Sequence, residues 1–169
     1  IQSLVKLSRM ESGIIAVHSE DTTITQMLES IQQQFNVKVR EKNITLSLCD
    51  TDLHVRCDPK WTVEAIGNIV DNAIKYTACG GNVQIKAEQY SFFVKIDIID
   101  DGIGIEKEEI PKIFGRFYRS LSVADQPGVG IGLFLAREII QAQKGYIKVT
   151  SKRGKGSTFS VFLPIAKKE

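Results

Sequence analysis

The stretch from residue 58 to residue 81, DPKWTVEAIGNIVDNAIKYTACGG, constrains the fold more than any other part of the chain. Asp58 can cap a helix and Pro59 fits a first helical turn, so the stretch predicts a helix that begins there. Gly80 and Gly81 predict its end, because glycine leaves a helix in a left-handed conformation at the least cost.

The predicted helix is apolar on most of its circumference and leaves only a narrow polar stripe. A surface helix usually carries one wide polar face rich in lysine and glutamate. A stripe of amides, acids and one lysine is typical of a helix that walls a polar pocket. A half-buried helix with capping asparagines and a solvated lysine would give the same pattern. The stripe comprises Glu64, Asn68, Asp71, Asn72 and Lys75.

Composition places the chain among soluble globular proteins. Its 169 residues, 43% hydrophobic and 25% charged, suit one domain with a core of its own. The net charge of +2 and the lack of a basic run predict that nucleic acid is not a partner. No apolar run reaches the ~18 residues of a membrane helix and no leader is present, so we expect no membrane contact by this chain.

Cysteine and histidine usage favours a reduced, cytoplasmic setting. The cysteines Cys49, Cys57 and Cys79 form no CxxC pair, and neither His18 nor His54 is spaced to complete a zinc site.

The order of predicted elements favours an α+β fold. Apolar residues at helical spacing make residues 1–13 resemble the tail of a helix, separate from a domain over residues 14–169. We therefore expect a two-layer sandwich, with a mixed sheet of about five strands covered on one face by three helices. The pattern predicts helices near 21–42, 58–81, 110–118 and 131–144, and strands near 44–49, 53–57, 83–90, 92–100, 146–150 and 157–164.

One strand ends in the sequence DDGIGI, which combines acids with closely spaced glycines. Strand alternation places Asp100 on the face of the apolar residues before it, where a carboxylate is costly without a specific donor. Gly102 and Gly104 would let the backbone approach a ligand closely, although a tight acidic turn also fits.

A second glycine-rich loop, PGVGIGL, opens the helix predicted at 131–144. Helix N-termini present free N–H groups and suit phosphate, so Gly128, Gly130 and Gly132 predict an anion site or else a simple hinge. The segment IFGRFYRS precedes this loop; Phe114 and Phe117 could anchor a mobile lid there.

The motifs NxxxNAxKYT, DxGxG, FxxFYR, GxGxGL and GxGSTF follow one another in this chain. In this order they resemble the catalytic, ATP-binding domain of sensor histidine kinases, within the superfamily of gyrase, heat-shock chaperone and mismatch-repair ATPases. The resemblance covers residues 24–163. The opening LVKLSRMESG is similar to the end of the dimerisation hairpin of such kinases, and a long ATP lid is expected over 121–130.

The resemblance implies roles for single residues. Asn72 would bind Mg²⁺, Lys75 a phosphate and Asp100 the adenine amino group, while Tyr76 would border the nucleotide. Arg119, with Arg116 as its competitor, would lie near the γ-phosphate. Further contacts with ATP are implied for Asn68, Gly102, Gly104, Ile105, Phe117, Gly128, Val129, Gly130, Ile131, Gly132, Leu133 and for Thr158 or its neighbour Ser157.

Asn68 separates two kinds of chemistry. The superfamily's ATPases carry a water-activating glutamate at the matching position, and an amide cannot accept that proton. We therefore expect phosphoryl transfer rather than hydrolysis, with Asn68, Lys75 and Arg119 as the catalytic residues.

The resemblance also implies partners. The accepting histidine would lie on a helix upstream of Ile1, on the dimerisation helices of the same kinase, and a response-regulator receiver domain would take the phosphoryl group next. The parent protein would be a membrane-anchored receptor with this part in the cytoplasm. An anti-sigma-type serine kinase, a hydrolysing ATPase and a nucleotide-binding regulatory module are the alternatives.

Overall fold

The computed structural model describes residues 16–118 and 130–166, together with Val5 and Ser8, which are helical. Two of the predictions concern residues that lie mostly outside these ranges. Apart from these two residues, the helix tail at 1–13 lies outside the described residues, and so does most of the lid with Arg119, Gly128 and Val129.

The first long helix, α1 (Ile24–Glu41), confirms the periodicity of its sequence. Its residues Ile24, Met27, Leu28, Ile31 and Phe35 are all buried. The hydroxyl of Thr23 caps its start by accepting a hydrogen bond from the Gln26 N–H. The helix begins later than the predicted residue 21 because β1 (Glu20–Thr23) precedes it and pairs antiparallel with β3 (His54–Cys57).

The organising helix, α2 (Pro59–Tyr76), begins where its cap predicts. The Asp58 carboxylate accepts the Trp61 N–H at 3.2 Å. Its predicted end at Gly80–Gly81 is wrong, because Thr77 is already extended.

Tertiary donors explain why α2 stops at Tyr76. The ammonium of Lys42 donates to the carbonyls of Ile74 and Lys75, each at 2.8 Å. The Ile103 N–H donates to the Tyr76 carbonyl at 3.1 Å. With these carbonyls satisfied from outside the helix, the chain leaves early, and Gly80 (φ 84°) serves the turn into the next strand.

The described part of the chain forms one five-stranded sheet and the small β1–β3 pair. The strands of the large sheet are β2 (Thr45–Leu48), β4 (Asn82–Gln89), β5 (Phe93–Asp100), β6 (Tyr146–Lys152) and β7 (Gly156–Pro164). β2 pairs parallel with β4, and the other neighbours pair antiparallel, in the order β2-β4-β5-β7-β6. This arrangement confirms the mixed sheet of the α+β sandwich.

The core lies between the sheet and the helices α1, α2 and α3 (Gly132–Ala142). Alternate residues of β5 face it, and Val94, Ile96 and Ile98 are fully buried. α1 and α2 run in the same direction, because Met27 near the start of α1 contacts Cys57 just before α2, and Lys38 near the end of α1 reaches Asp71 near the end of α2. α3 runs opposite to α2, because its first residue Gly132 meets Asn68, whereas Gln143, just after its end, meets the earlier Thr62.

The helix predicted at 110–118 is wrong. The segment contains one 3-10 turn, Ile110–Lys112, followed by further turns. Gly115 within the segment disfavours a regular helix, and Phe117 has a positive φ of 62°, which a right-handed helix cannot contain. Among the described residues, no helix combines the length and the apolar character that crossing a membrane requires.

Candidate active site

The C-terminal half of α2 forms one wall of the site. Asn68, Asn72 and Lys75 are half-buried there, as the polar stripe predicted. The amide nitrogen of Asn68 donates to the Gly132 carbonyl at 3.1 Å. This hydrogen bond brings the first residue of α3 against α2, so the two predicted motifs meet.

Lys75 is held in an ion pair by an acid one helical turn earlier. Its ammonium lies 3.1 Å from Asp71, and the Lys38 ammonium of α1 lies 2.8 Å from the other carboxylate oxygen. Burial acts to raise the pKa of Asp71, but the two ammonium groups outweigh it and hold that pKa below its ordinary value. The i, i+4 spacing of Asp71 and Lys75 was the sequence signal for this pair.

Asp100 ends β5 on the core side, which confirms the parity argument. Its exposed fraction is 9%, and one carboxylate oxygen accepts the Gly102 N–H at 2.9 Å. Burial raises the pKa of Asp100; the backbone N–H groups of Gly102 and Ser157 partly offset this, and the charge of Asp101 adds to it. A buried carboxylate with free acceptor capacity is a strong site for a hydrogen-bond donor.

The neighbouring acid, Asp101, makes structural hydrogen bonds outside the site. Asp101 is exposed and accepts both the backbone N–H of Asn82, at 2.8 Å, and its side-chain amide, at 2.9 Å. Asp101 therefore fixes the start of β4 rather than facing the site.

The glycines after Asp100 are needed for protein contacts. A side chain at Gly102 would place its Cβ 2.4 Å from the Tyr76 carbonyl. One at Gly104, where φ is +71°, would lie 2.1 Å from the Lys152 carbonyl. The structure thus explains glycine at both positions by close backbone packing, and their contact with a nucleotide stays a prediction.

A Gly104→Ala substitution is therefore expected to destabilise the fold by about 3 kcal/mol, combining left-handed strain of about 1–2 kcal/mol with overpacking of about 1–3 kcal/mol. Gly80 is the matched control, because its φ is +84° but no atom lies within 4 Å of an added Cβ. Gly80→Ala should cost only ~1 kcal/mol. Urea unfolding of both variants measures the difference, and equal losses would show that the Lys152 contact is unimportant.

Ser157, and not Thr158, lies beside Asp100. Ser157 is directly opposite Asp100 in the β5–β7 pairing, and it is 7% exposed. Its hydroxyl is 2.8 Å from that of Ser151, which also accepts the Ile105 N–H at 2.8 Å. Thr158 is opposite Ile99 and so faces away from the helices.

The N-terminus of α3 carries the second glycine loop. Ile131 precedes the helix without a side-chain cap, so the first helical N–H groups have no capping partner from that residue. Ile131 is fully buried in the core, so its predicted contact with a ligand stays a prediction. Leu133 is half-buried. Gly130 has φ +77°, and an added Cβ would lie 2.8 Å from the backbone of Phe117.

Two arginines lie over aromatic rings where the 110–118 segment meets α3. The guanidinium of Arg116 lies 5.0 Å from the centre of the Phe134 ring, and that of Arg137 lies 5.2 Å from Phe114. These cation–π contacts hold the segment against α3. Phe117, by contrast, is 56% exposed and does not anchor the segment in the core. Phe134 and Arg137 belong to no motif, so the sequence does not predict their part in these contacts.

Within the described residues, no three histidine, cysteine, aspartate or glutamate side chains form a metal-binding group. The site therefore combines one buried carboxylate, two amides, one lysine and a helix N-terminus, a set that suits an anionic ligand with a hydrogen-bond donor at its far end.

The sequence of residues 57–167 matches the family described as "Histidine kinase-, DNA gyrase B-, and HSP90-like ATPase", and the chain belongs to this family. Within it, the chain is the ATPase-type catalytic domain found in sensor histidine kinases.

Individual relatives support this placement. The chain is 32% identical over 169 residues to the sensor histidine kinase WalK of Bacillus subtilis, which matches 97% of this chain and 28% of WalK. It is 32% identical to the adaptive-response sensory kinase SasA of Synechococcus elongatus, over 98% of this chain and 43% of SasA. The chain thus spans less than half the length of either relative.

Solved structures show the same fold. The mycobacterial sensor histidine kinase MprB superposes with a TM-score of 0.76 at 25% identity, over 88% of this chain and 98% of that one. Full-length ShkA, solved in complex with AMPPNP, superposes with a TM-score of 0.86 at 21% identity, over 98% of this chain and 35% of ShkA.

Proposed function

We propose that this domain binds Mg-ATP and transfers its γ-phosphoryl group to a histidine of the same kinase. The observation that carries this proposal is Asp100, a buried carboxylate that keeps acceptor capacity at the end of β5. Membership of the ATPase family and the names of the relatives support ATP as the ligand.

The adenine would bind at the Asp100 end of the site. An exocyclic amino group is a donor, and an ionised carboxylate is the strongest acceptor that a protein can offer it. Because Ser157 lies beside Asp100 while Thr158 faces away, we assign the contact beneath the adenine to Ser157. Gly102, Gly104, Ile105 and Tyr76 would complete this end.

The phosphates would bind at the other end, at the N-terminus of α3. Free N–H groups and the positive end of the helix dipole favour an anion there. Lys75 would reach a phosphate by leaving Asp71, so phosphate and carboxylate compete for one ammonium. Arg119 and Arg116 would add charge, with Arg116 leaving the Phe134 ring. Gly128, Val129, Gly130, Gly132 and Leu133 would contribute mainly through their backbone, whereas Ile131, which is fully buried, would have to become accessible to do so.

Asn72 fits a magnesium ion that takes most of its ligands from phosphates and water. Mg²⁺ is commonly held by one or two protein oxygens when a nucleotide supplies the rest, which agrees with a site lacking an acidic cluster in the described residues. The ion would neutralise charge on the phosphates during transfer.

The amide of Asn68 favours transfer over hydrolysis. Its nitrogen donates to the Gly132 carbonyl, so its oxygen is the atom left to meet a ligand. That oxygen can orient a water or a metal-bound group but cannot take a proton. ATP would therefore persist until another nucleophile arrives.

The substrate and partners proposed for this domain lie on other segments. Residues 1–13 would be the end of the dimerisation hairpin and residues 14–169 the catalytic domain. The hairpin would carry the accepting histidine, and a receiver-domain aspartate of a response regulator would accept the phosphoryl group from it. The sensor-kinase names of the relatives support these assignments.

The isolated chain is expected to bind ATP without labelling itself. His18 lies on the incoming segment and His54 pairs with Asp21 at 2.8 Å on the β1–β3 sheet, away from the Asn68–Gly132 contact. His18→Ala and His54→Ala should therefore leave ATP affinity and transfer to an added histidine hairpin unchanged within twofold. Binding of radiolabelled ATP measures the affinity, and labelling of an added hairpin peptide measures the transfer. Acid-labile phosphate on either histidine would contradict the assignment of the acceptor.

A further inference from the structure

A buried polar cluster lies at the opposite end of α2 from the nucleotide site. Its members are Asp58, Thr62 and Gln143, with exposed fractions of 7%, 0% and 5%. Asp58 caps the start of α2 and Thr62 is the fourth residue of that helix, while Gln143 follows the last residue of α3. Thr62 and Gln143 belong to no sequence motif, and the sequence predicts Asp58 only as a helix cap.

Gln143 connects the two helices through both ends of its amide. Its oxygen accepts the backbone N–H of Asp58 and the hydroxyl of Thr62, the latter at 3.4 Å. Its nitrogen lies 3.1 Å from the same hydroxyl and donates to the Ile139 carbonyl at 3.3 Å. Removing one partner from such a cluster leaves another buried polar group without a hydrogen bond, which costs free energy. The three side chains therefore depend on one another.

The incoming chain is attached to the same cluster. One oxygen of the Asp58 carboxylate caps α2 at the Trp61 N–H, and the other accepts the backbone N–H of His18 at 2.9 Å. The cluster thus joins three segments of the domain at the start of α2.

Two polar contacts therefore clamp α3 against α2, one at each end. Gln143 holds the C-terminal end, and the hydrogen bond from Asn68 to the Gly132 carbonyl holds the N-terminal end. A helix of 11 residues is a stiff rod of about 16 Å, so a tilt allowed at one end displaces the other. Between the clamps the contact is apolar, through fully buried Leu135, Ala136 and Ile139. Apolar contacts are non-directional and fix orientation less strictly than hydrogen bonds.

We propose that Gln143 is a positioning residue for the phosphates of ATP: through Asp58 and Thr62 it fixes the orientation of α3, and so the place of the helix N-terminus relative to Asn68 and Asn72. This inference rests on the proposed function, since it needs the phosphates to bind at that N-terminus. Gln143 itself does not touch the nucleotide.

The test compares ligands with and without the outer phosphates. Gln143→Ala and Thr62→Val, which removes the hydroxyl at almost unchanged shape, should each weaken Mg-ATP binding about tenfold or more. Binding of AMP, measured by competition, should change less than twofold because the Asp100 end is untouched. Thr62→Ser keeps the hydroxyl and should retain the ATP affinity of the unaltered chain. If Gln143→Ala does not fold, the comparison of Thr62→Val with Thr62→Ser still tests the proposal.

Ile139→Val is the control for general loosening, because Ile139 is buried on the same face of α3 but makes no side-chain hydrogen bond. It should lower thermal stability without changing the ratio of ATP to AMP affinity. Equal weakening of both nucleotides in Thr62→Val, or no weakening of either, would overturn the proposal. If the unaltered chain failed to bind ATP at all, the proposed function itself would be wrong, which is a separate result.

Discussion

Replacing Asp100 by asparagine is expected to remove most of the affinity for ATP and ADP. The carboxylate already accepts the Gly102 N–H and would accept the adenine amino group with its remaining lone pairs. An amide has only one oxygen and one NH₂ group. Either the Gly102 N–H or the adenine amino group would therefore face the NH₂ group, a second donor, in a buried site. A lost hydrogen bond to a charged group costs about 1.5–3 kcal/mol, and an unpaired buried group adds a similar amount. Titration calorimetry should show at least a ~100-fold loss, since ~1.4 kcal/mol is tenfold.

Asp101→Asn is the matched control for this variant. The side chain is exposed and its hydrogen bonds go to Asn82, so ATP affinity should change less than threefold. The two substitutions remove the same charge one residue apart, which cancels any general effect of net charge on an anionic ligand. Equal losses in both variants would contradict the assignment of Asp100 to adenine.

Replacing Asn68 by glutamate is expected to increase ATP hydrolysis. The unaltered domain should release phosphate very slowly, because its amide cannot take a proton from water. A carboxylate cannot donate to the Gly132 carbonyl as Asn68 does, so it would turn from that oxygen toward the site. General-base assistance is worth about 10²–10⁴-fold, which sets the scale of the increase when Mg²⁺ still binds. Transfer to an added histidine hairpin should fall, because water then competes.

Asn68→Asp controls for the added charge. Its carboxylate is one methylene shorter, so it brings the same charge to the site without the same reach, and hydrolysis should rise less than for Asn68→Glu. Phosphate release and hairpin labelling are to be measured side by side with magnesium titrated in each case. Brisk hydrolysis by the unaltered domain would favour the ATPase alternative.

The sequence predicts those parts of the fold that depend on the spacing of apolar residues within a single helix or strand. The apolar residues of α1 and α2 recur at helical spacing, and those of β5 at every second position, so each element follows from local pattern alone. The same alternation predicts that Asp100 lies on the core side, without reference to any tertiary contact. The capping of α2 by Asp58 was equally local.

What the sequence did not predict depends on contacts between distant segments. α2 ends at Tyr76 because donors from Lys42 and Ile103 take its last carbonyls, and neither donor is a neighbour in sequence. The choice of Ser157 over Thr158 depends on the register of β7 against β5, which a shift of one residue would reverse. The strand β1 is polar and only four residues long, and it exists through pairing with β3.

The hydrogen bonds from Lys42 also bear on the charge that an arriving nucleotide meets. The C-terminus of a helix carries about half a negative charge on its last carbonyls, and α2 ends next to the loop that follows Asp100. Left bare, those oxygens would repel a triphosphate approaching along the helix. Because Lys42, the residue that follows α1, donates to two of them, its positive charge offsets the partial negative charge at this end of the helix. The same two hydrogen bonds that end α2 would thereby also lower the repulsion that a strongly charged anion meets there.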